Sequence, residues 1–152
     1  MKDESPEAQL AGFIAKYTPE IGELAEVTLA KMRARLPGAV ELVYDNYNAL
    51  AIGFSPTERA SDVIFSIALY PRWVSLFFMQ ATGLPDPQHL LKGNGKVVRH
   101  LVLKNATEVD SPAVQEIIAQ ALKRATKPLD ETKPGRLVIK SISAKQRPRR
   151  PA

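Results

Sequence analysis

The order of hydrophobic patterns predicts an α+β domain, in which an antiparallel sheet of about five strands carries helices packed on one face. Two stretches with helical spacing come first, a block of adjacent strand-like segments follows over residues 39–104, and a third helical stretch comes after it. A chain of 152 residues is long enough for one ordinary hydrophobic core. We therefore expect residues 1–144 to form a single domain.

Three cap sequences mark the predicted helices. Ser5-Pro6, Thr18-Pro19 and Ser111-Pro112 each place a hydroxyl residue at the N-cap and a proline at the first helical position. Pro37-Gly38 ends the second helix. The apolar stripes that follow the caps are Leu10, Phe13, Ile14 and Tyr17, then Ile21, Leu24, Thr28, Met32 and Leu36, and finally Val114, Ile117, Ile118, Ala121 and Leu122.

The strands are predicted from short runs of β-branched and aromatic residues bounded by turn residues. These runs cover residues 40–44, 48–54, 63–70, 73–80 and 97–104, with 137–142 as a further candidate. Asp45-Asn46-Tyr47 fits a hairpin turn, and Pro71 separates two central strands because proline cannot donate a ladder hydrogen bond. Asp86-Pro87 is typical of a helix start, so we expect a short helix over residues 88–92 that ends at Gly93.

Composition narrows the class of protein. Apolar residues make up 45% of the chain and charged residues 24%, close to the averages of soluble globular proteins. The absence of cysteine excludes disulfides, thiolate nucleophiles and cysteine metal sites. Residues 1–6 are acidic and polar, unlike a secretory signal or a transit peptide, and no apolar run approaches the roughly 18 residues of a membrane span. We expect a cytoplasmic protein.

The net charge of +5 is distributed unevenly. From Lys123 onward the chain has ten Lys and Arg residues and two acidic residues, which gives a net charge of +8 and leaves −3 for residues 1–122. Residues 145–152 hold too few apolar residues to pack a core, so they predict a disordered basic tail. Such a tail suggests one function, which is contact with a nucleic acid or another acidic surface.

Lys92-Gly93-Asn94-Gly95-Lys96 is a candidate anion-binding loop. Glycines let backbone N–H groups turn toward an anion, and the two lysines supply positive charge. The loop lacks the GxxxxGK[ST] spacing and leads into a strand, so a helix C-cap followed by an Asn-Gly turn explains the same residues. Arg99 follows in that strand as a further candidate cation.

A second set of candidates lies near strand ends. Tyr44, Tyr70 and Trp73 each combine an apolar body with a polar group, which suits residues that line pockets. Arg72, beside Trp73, is suited to an anionic or planar ligand edge. Core packing is the competing interpretation for the aromatic side chains.

Taken together, the two sets predict a non-enzymatic domain that binds a small anionic ligand or a protein partner. The site would form where residues 70–73 meet the loop at residues 92–96, with positive charge from Arg72, Lys96 and Arg99. No catalytic residue and no cofactor are predicted, because no nucleophile or acid–base pair is positioned by a known motif.

Several segments resemble the YdhG-like family of small proteins. They are Val43-Tyr44, Ile67-Ala68-Leu69-Tyr70-Pro71, Lys92-Gly93-Asn94-Gly95-Lys96, Arg99-His100-Leu101-Val102-Leu103 and Ser111-Pro112-Ala113-Val114, within roughly residues 20–122. The resemblance implies a frataxin-like sandwich. It also implies an alternative function as an intracellular iron chaperone, for which Glu20, Glu23 and Glu26 are the candidate ligands.

Overall fold

The computed structural model describes residues 5–152; Met1–Glu4, with which the predicted domain begins, lie outside the described residues. Over the described range, no helix combines the length and the apolar character needed to cross a membrane. The elements are α1 (Pro6–Ala15), α2 (Pro19–Arg35), β1 (Val40–Asp45), β2 (Leu50–Ser55), β3 (Phe65–Leu69), β4 (Val74–Phe78), β5 (Arg99–Leu103), α3 (Pro112–Arg124) and β6 (Arg136–Ile142), with short 3-10 turns at Ala60–Asp62 and Ala106–Asp110.

All three predicted helix starts are confirmed. The side-chain oxygens of Ser5, Thr18 and Ser111 accept hydrogen bonds from backbone N–H groups three residues later, at 3.2, 3.4 and 3.3 Å. Each cap therefore satisfies one of the N–H groups that a helix start leaves without a partner. The proline that follows each cap occupies the first helical position, as predicted.

The sheet is mixed rather than antiparallel, and it has six strands in the order β5-β4-β3-β2-β1-β6. The four pairs that join β1 to β5 are antiparallel, while β6 pairs in parallel with β1. The reason is the connection: the chain after α3 returns to the end of the sheet at which β1 begins. Gly135 permits this approach, since its φ is +72° and a Cβ atom there would stand 2.6 Å from the Ala39 carbonyl oxygen.

The main core lies between the helices and one face of the sheet. Apolar residues of all three helices pack there with alternate residues of the strands. The opposite face carries a smaller cluster that includes Leu42 and Val63. The residue at position 53 of β2 is glycine because Val63 packs there: the Val63 Cγ1 atom lies 3.1 Å from where a Cβ on Gly53 would stand. Packing, rather than a bound molecule, thus fills the space beside Gly53.

The predicted short helix over residues 88–92 is a turn instead. The Asp86 carboxylate accepts hydrogen bonds from the N–H groups of Leu90 and Leu91, at 2.8 and 2.9 Å. His89 has a φ of +54°, which a right-handed helix does not contain. The aspartate therefore caps a loop, and the chain remains irregular up to β5.

The segment at residues 145–152 differs from the predicted disordered tail, because it packs against the first turn of the sheet. Arg149 is only 6% exposed, and its guanidinium donates to the Asp45 carboxylate at 2.9 Å and to the Tyr47 carbonyl at 3.3 Å. Gln146 donates to the Asp45 backbone carbonyl at 3.1 Å. The Lys16 ammonium contacts the second oxygen of the same carboxylate at 2.8 Å.

Asp45 is fully buried, so its charge is stabilised only by these partners. Burial by itself raises the pKa of the Asp45 carboxyl, but the hydrogen bonds from Lys16, Gln146 and Arg149 outweigh it and hold the pKa below its ordinary value of 3.8. The folded protein therefore binds this proton less tightly than the unfolded chain does.

We expect Arg149→Ala to lower the free energy of unfolding by about 3 kcal/mol, because it leaves the Asp45 carboxylate buried without its main partner. Denaturant unfolding followed by circular dichroism measures the loss. Arg147→Ala is the matched control, since Arg147 is exposed and its side chain lies only over the Tyr47 ring, at 5.9 Å. Equal losses in both variants would contradict the role of the buried ion pair.

The pKa shift predicts how this contribution depends on pH. Because the folded-state pKa of Asp45 lies below 3.8, the stabilisation is complete above the unfolded value and is lost as the pH falls through the folded-state value. The unfolding free energies of the wild type and of Asp45→Asn, measured by urea titration at each pH, should differ by a constant amount above about pH 5. The difference should shrink below pH 3.8; a difference that grows there contradicts the assignment.

Candidate functional site

Arg72 and Trp73 lie in the tight turn between β3 and β4. The Tyr70 N–H donates to the Trp73 carbonyl at 2.9 Å, which closes the turn. The rings of Tyr70 and Trp73 stack with centroids 4.7 Å apart, and burial raises the pKa of the Tyr70 hydroxyl. The predicted grouping of these three residues is thus present in the structure.

The loop at residues 92–96 lies at the other end of the sheet. Val74, which follows Trp73, pairs with Leu103 at the end of β5, whereas Arg99 at its start pairs with Phe78. The length of β4 alone separates the two ends by about 13 Å. The structure therefore does not bring Arg72 and Trp73 together with Lys92, Lys96 and Arg99, and the predicted shared site is divided in two.

The loop itself is shaped by its contacts with β5. Lys92 forms two backbone hydrogen bonds with His100, at 2.7 and 2.9 Å, and the Arg99 guanidinium donates to the Gly93 carbonyl. Gly93 has a φ of +113°, which favours glycine. Gly95 is also restricted, because a Cβ atom there would lie 3.1 Å from the Val98 carbonyl oxygen. The glycines thus serve the turn geometry.

Tyr44 is remote from both parts of the predicted site. It lies in β1 on the face without helices, where it packs against the cluster of Leu42 and Val63. Three strand positions separate β1 from β4 in the sheet. Burial raises the pKa of the Tyr44 hydroxyl, and this hydroxyl has no hydrogen-bond partner within residues 5–152. Core packing is the interpretation that fits Tyr44.

A groove in the described part of the chain runs along the free edge of β5. This edge groove, of about 690 Å³, is lined on one side by Glu20, Glu23, Leu24 and Val27 of α2 and on the other by Arg72, Trp73, Val102 and Lys104. Three of its apolar side chains are unusually exposed: Val27 at 40%, Trp73 at 41% and Val102 at 36%. Large apolar side chains grouped at one place on a surface are typical of interaction sites.

Four charged side chains border this apolar centre. Glu20 and Glu23 stand on the helix side, while Arg72 and Lys104 stand on the strand side. None of the four forms an ion pair with another residue of the described range. By contrast, Lys31 and Arg35, farther along α2, both pair with Asp110. Charges of both signs are therefore available to a partner at the edge groove.

The backbone of β5 is open beside the groove. His100 turns its N–H and C=O away from β4, because both bond to Lys92. Val102 is two residues further on, so its N–H and C=O point outward in the same direction. No residue within 5–152 forms a hydrogen bond with them. The edge groove thus combines unpaired strand groups with exposed apolar side chains, an arrangement that most edge strands avoid.

The three candidate iron ligands do not converge. Glu20 and Glu23 line the edge groove, whereas Glu26 lies on another side of α2, in a groove with Glu7 and Arg33. In the part of the chain that the structure describes, no group of three or more His, Cys, Asp or Glu side chains is arranged to hold a metal ion.

Sequence reasoning missed Val27, Val102 and Lys104. Val27 lies between Glu26 and Thr28, one position off the apolar stripe of α2, so the helical pattern did not select it. The alternation of apolar and polar residues in β5 does not show that one edge of this strand is free, because a local sequence pattern does not determine the order of strands in a sheet. Only the fold places Val27 next to Val102.

No protein-family model matches the chain, and neither the curated proteins nor the solved structures provide a match. The YdhG-like resemblance and the frataxin-like fold therefore stay predictions. What is established is that residues 5–152 form an α+β structure with three α-helices and an open, mixed sheet of six strands.

The division of the site predicts how anions reach Trp73, the only tryptophan. Quenching of its fluorescence by iodide should fall in Arg72→Glu, because the neighbouring cation no longer attracts the anion. Lys96→Glu should leave the quenching constant unchanged, since Lys96 lies beyond the Debye length of about 10 Å at 0.1 M salt. An equal decrease in both variants would show that the two cations share one site.

Proposed function

We propose that this protein is a binding module that takes up an extended segment of a partner protein along the free edge of β5. The segment adds a strand to the sheet, and its side chains enter the edge groove. The observation that carries this proposal is the outward-facing N–H and C=O of Val102 beside the exposed side chains of Val27 and Trp73. Strand addition at an open sheet edge is a recurrent mode of peptide recognition.

Apolar contact supplies part of the affinity in this proposal. Val27, Trp73 and Val102 all line the edge groove, so a bound segment covers them together. Full burial of an apolar side chain is worth about 1.5–3 kcal/mol, and each of these three is still partly exposed. Because each is already more than half buried, we expect the three together to supply about 2–4 kcal/mol, and the hydrogen bonds to Val102 and the charge contacts to supply the rest.

Charge supplies the direction. A segment that lies in the edge groove meets Glu20 and Glu23 on the α2 side and Arg72 and Lys104 on the strand side. A basic side chain that points toward α2 and an acidic one that points toward Arg72 are both favoured, while the reverse arrangement places like charges together. The groove thus prefers a segment with charges of both signs around apolar anchors.

A small anion fits this groove less well than a peptide does. The cations that the anion would need are divided between two ends of the sheet, and two glutamates border the part that contains Arg72. The protein-partner form of the predicted function is therefore the one that the geometry favours. The cytoplasmic location remains part of the proposal.

A scan of backbone methylation tests the proposal. Extended decapeptides selected from a random library on the wild type are resynthesised with single N-methyl groups, and their binding is followed by Trp73 fluorescence. In an added strand, only alternate N–H groups face β5. We expect methylation at the one residue that pairs with Val102 to weaken binding about tenfold, with little effect elsewhere, because the outward N–H groups of His100 and Lys104 are already bonded to Lys92 and Glu108.

Two substitutions provide the matched comparison. Val27→Asp places a charge in the groove, so it should weaken binding of the selected peptides. Val97→Asp makes the same change at an exposed valine outside the groove and should leave binding intact. A methylation scan without one sensitive residue, or equal losses in both variants, would overturn the proposal.

A further inference from the structure

The loop at residues 92–96, which the edge groove leaves unused, adjoins the end of α3. The Thr82 hydroxyl donates to the Lys96 carbonyl at 3.0 Å. The next residue, Gly83, has the Arg124 guanidinium beside it, 3.6 Å from where a Cβ would stand. The turn at residues 82–83 therefore joins the loop to the C-terminal end of α3.

Five cations collect at this end of the molecule: Lys92, Lys96, Arg99, Lys123 and Arg124. The four other than Arg99 are exposed, and none of the five pairs with a carboxylate within the described residues. The nearby Asp86 carboxylate is occupied by backbone N–H groups of its own turn. This basic end is a region of uncompensated positive charge.

An aromatic pair borders the basic end on the sheet face without helices. The rings of Phe77 in β4 and His100 in β5 stack with centroids 5.1 Å apart, and both side chains are half-buried. The backbone of Gly93 lies against the His100 ring: a Cβ atom on Gly93 would stand 3.5 Å from the Nδ1 atom of His100. Flat rings therefore stand directly beside the cations of the loop.

We propose that the basic end binds a single-stranded nucleic acid, independently of the edge groove. The cations neutralise the phosphates, and bases stack on the Phe77–His100 pair. Positive charge beside partly exposed rings is the combination that single-strand binding uses, because phosphates supply most of the affinity and every base has a stacking face. The anion that the loop sequence suggested is, in this proposal, a backbone phosphate.

The tail is the competing source of such binding, and the structure limits it. Arg149 is engaged with Asp45, and Arg150 donates to the Lys16 and Ala15 carbonyls. Lys145 and Arg147 remain as exposed tail cations, so they provide a control with the same loss of charge.

The test measures fluorescence anisotropy of a labelled 20-nucleotide oligothymidylate with the full chain. Each phosphate contact on a single strand makes the binding constant vary as roughly the −0.7 power of the salt concentration, which is about fivefold per contact at 0.1 M salt. Lys96→Ala/Arg124→Ala removes two such contacts and should therefore weaken binding about 25-fold. Lys145→Ala/Arg147→Ala should leave binding within about twofold of the wild type. A larger loss in the tail variant, equal losses in both, or no binding by the wild type overturns the proposal.

A second arm tests the aromatic pair. Inorganic polyphosphate of matched charge should compete less well than the oligonucleotide, since it has no bases to stack. Phe77→Leu keeps an apolar side chain in β4 and should reduce the difference between the two competitors. Polyphosphate that competes as strongly as the oligonucleotide against the wild type would overturn the assignment to a nucleic acid.

Discussion

The buried carboxylate of Asp45 is the constraint on which the arrangement of the chain depends. It lies at the end of β1, where it receives Lys16 from α1 and Arg149 from the C-terminal segment. A buried charge is tolerated only when its partners are fixed, so this one group holds three distant parts of the chain together. Tyr17 reinforces the junction, because its hydroxyl donates to the Leu69 carbonyl at 2.9 Å and accepts from the Leu50 N–H at 3.1 Å.

This junction also decides which strands form the two edges of the sheet. With the C-terminal segment held at Asp45, β6 covers the outer edge of β1. The other terminal strand, β5, is covered only at His100, where Lys92 pairs with it. On β6, Arg136 and Lys140 contact Glu58, and Ile142 is 53% exposed. The groove with several exposed apolar side chains lies beside the second half of β5.

The two proposed surfaces occupy opposite ends of β5, so they do not compete for the same residues. The edge groove uses the end near Leu103, and the basic end uses the start near Arg99. A rigid strand between them makes simultaneous occupation compatible with the fold. A protein segment and a nucleic acid strand bound in this way would be held about 15 Å apart.

The helix starts, the positions of the strands and the buried stripes were determined by the sequence itself, because caps, prolines and apolar spacing act over a few residues. The direction of β6, the packing of residues 145–152 and the separation of Arg72 from Lys96 were decided only by the tertiary structure. Each depends on contacts between residues far apart in the chain, and local patterns contain no information on strand order or on which buried carboxylate a distant arginine meets. The same reason made Arg149 look like part of a solvated tail: its charge is visible in the sequence, but its partner Asp45 is 104 residues away.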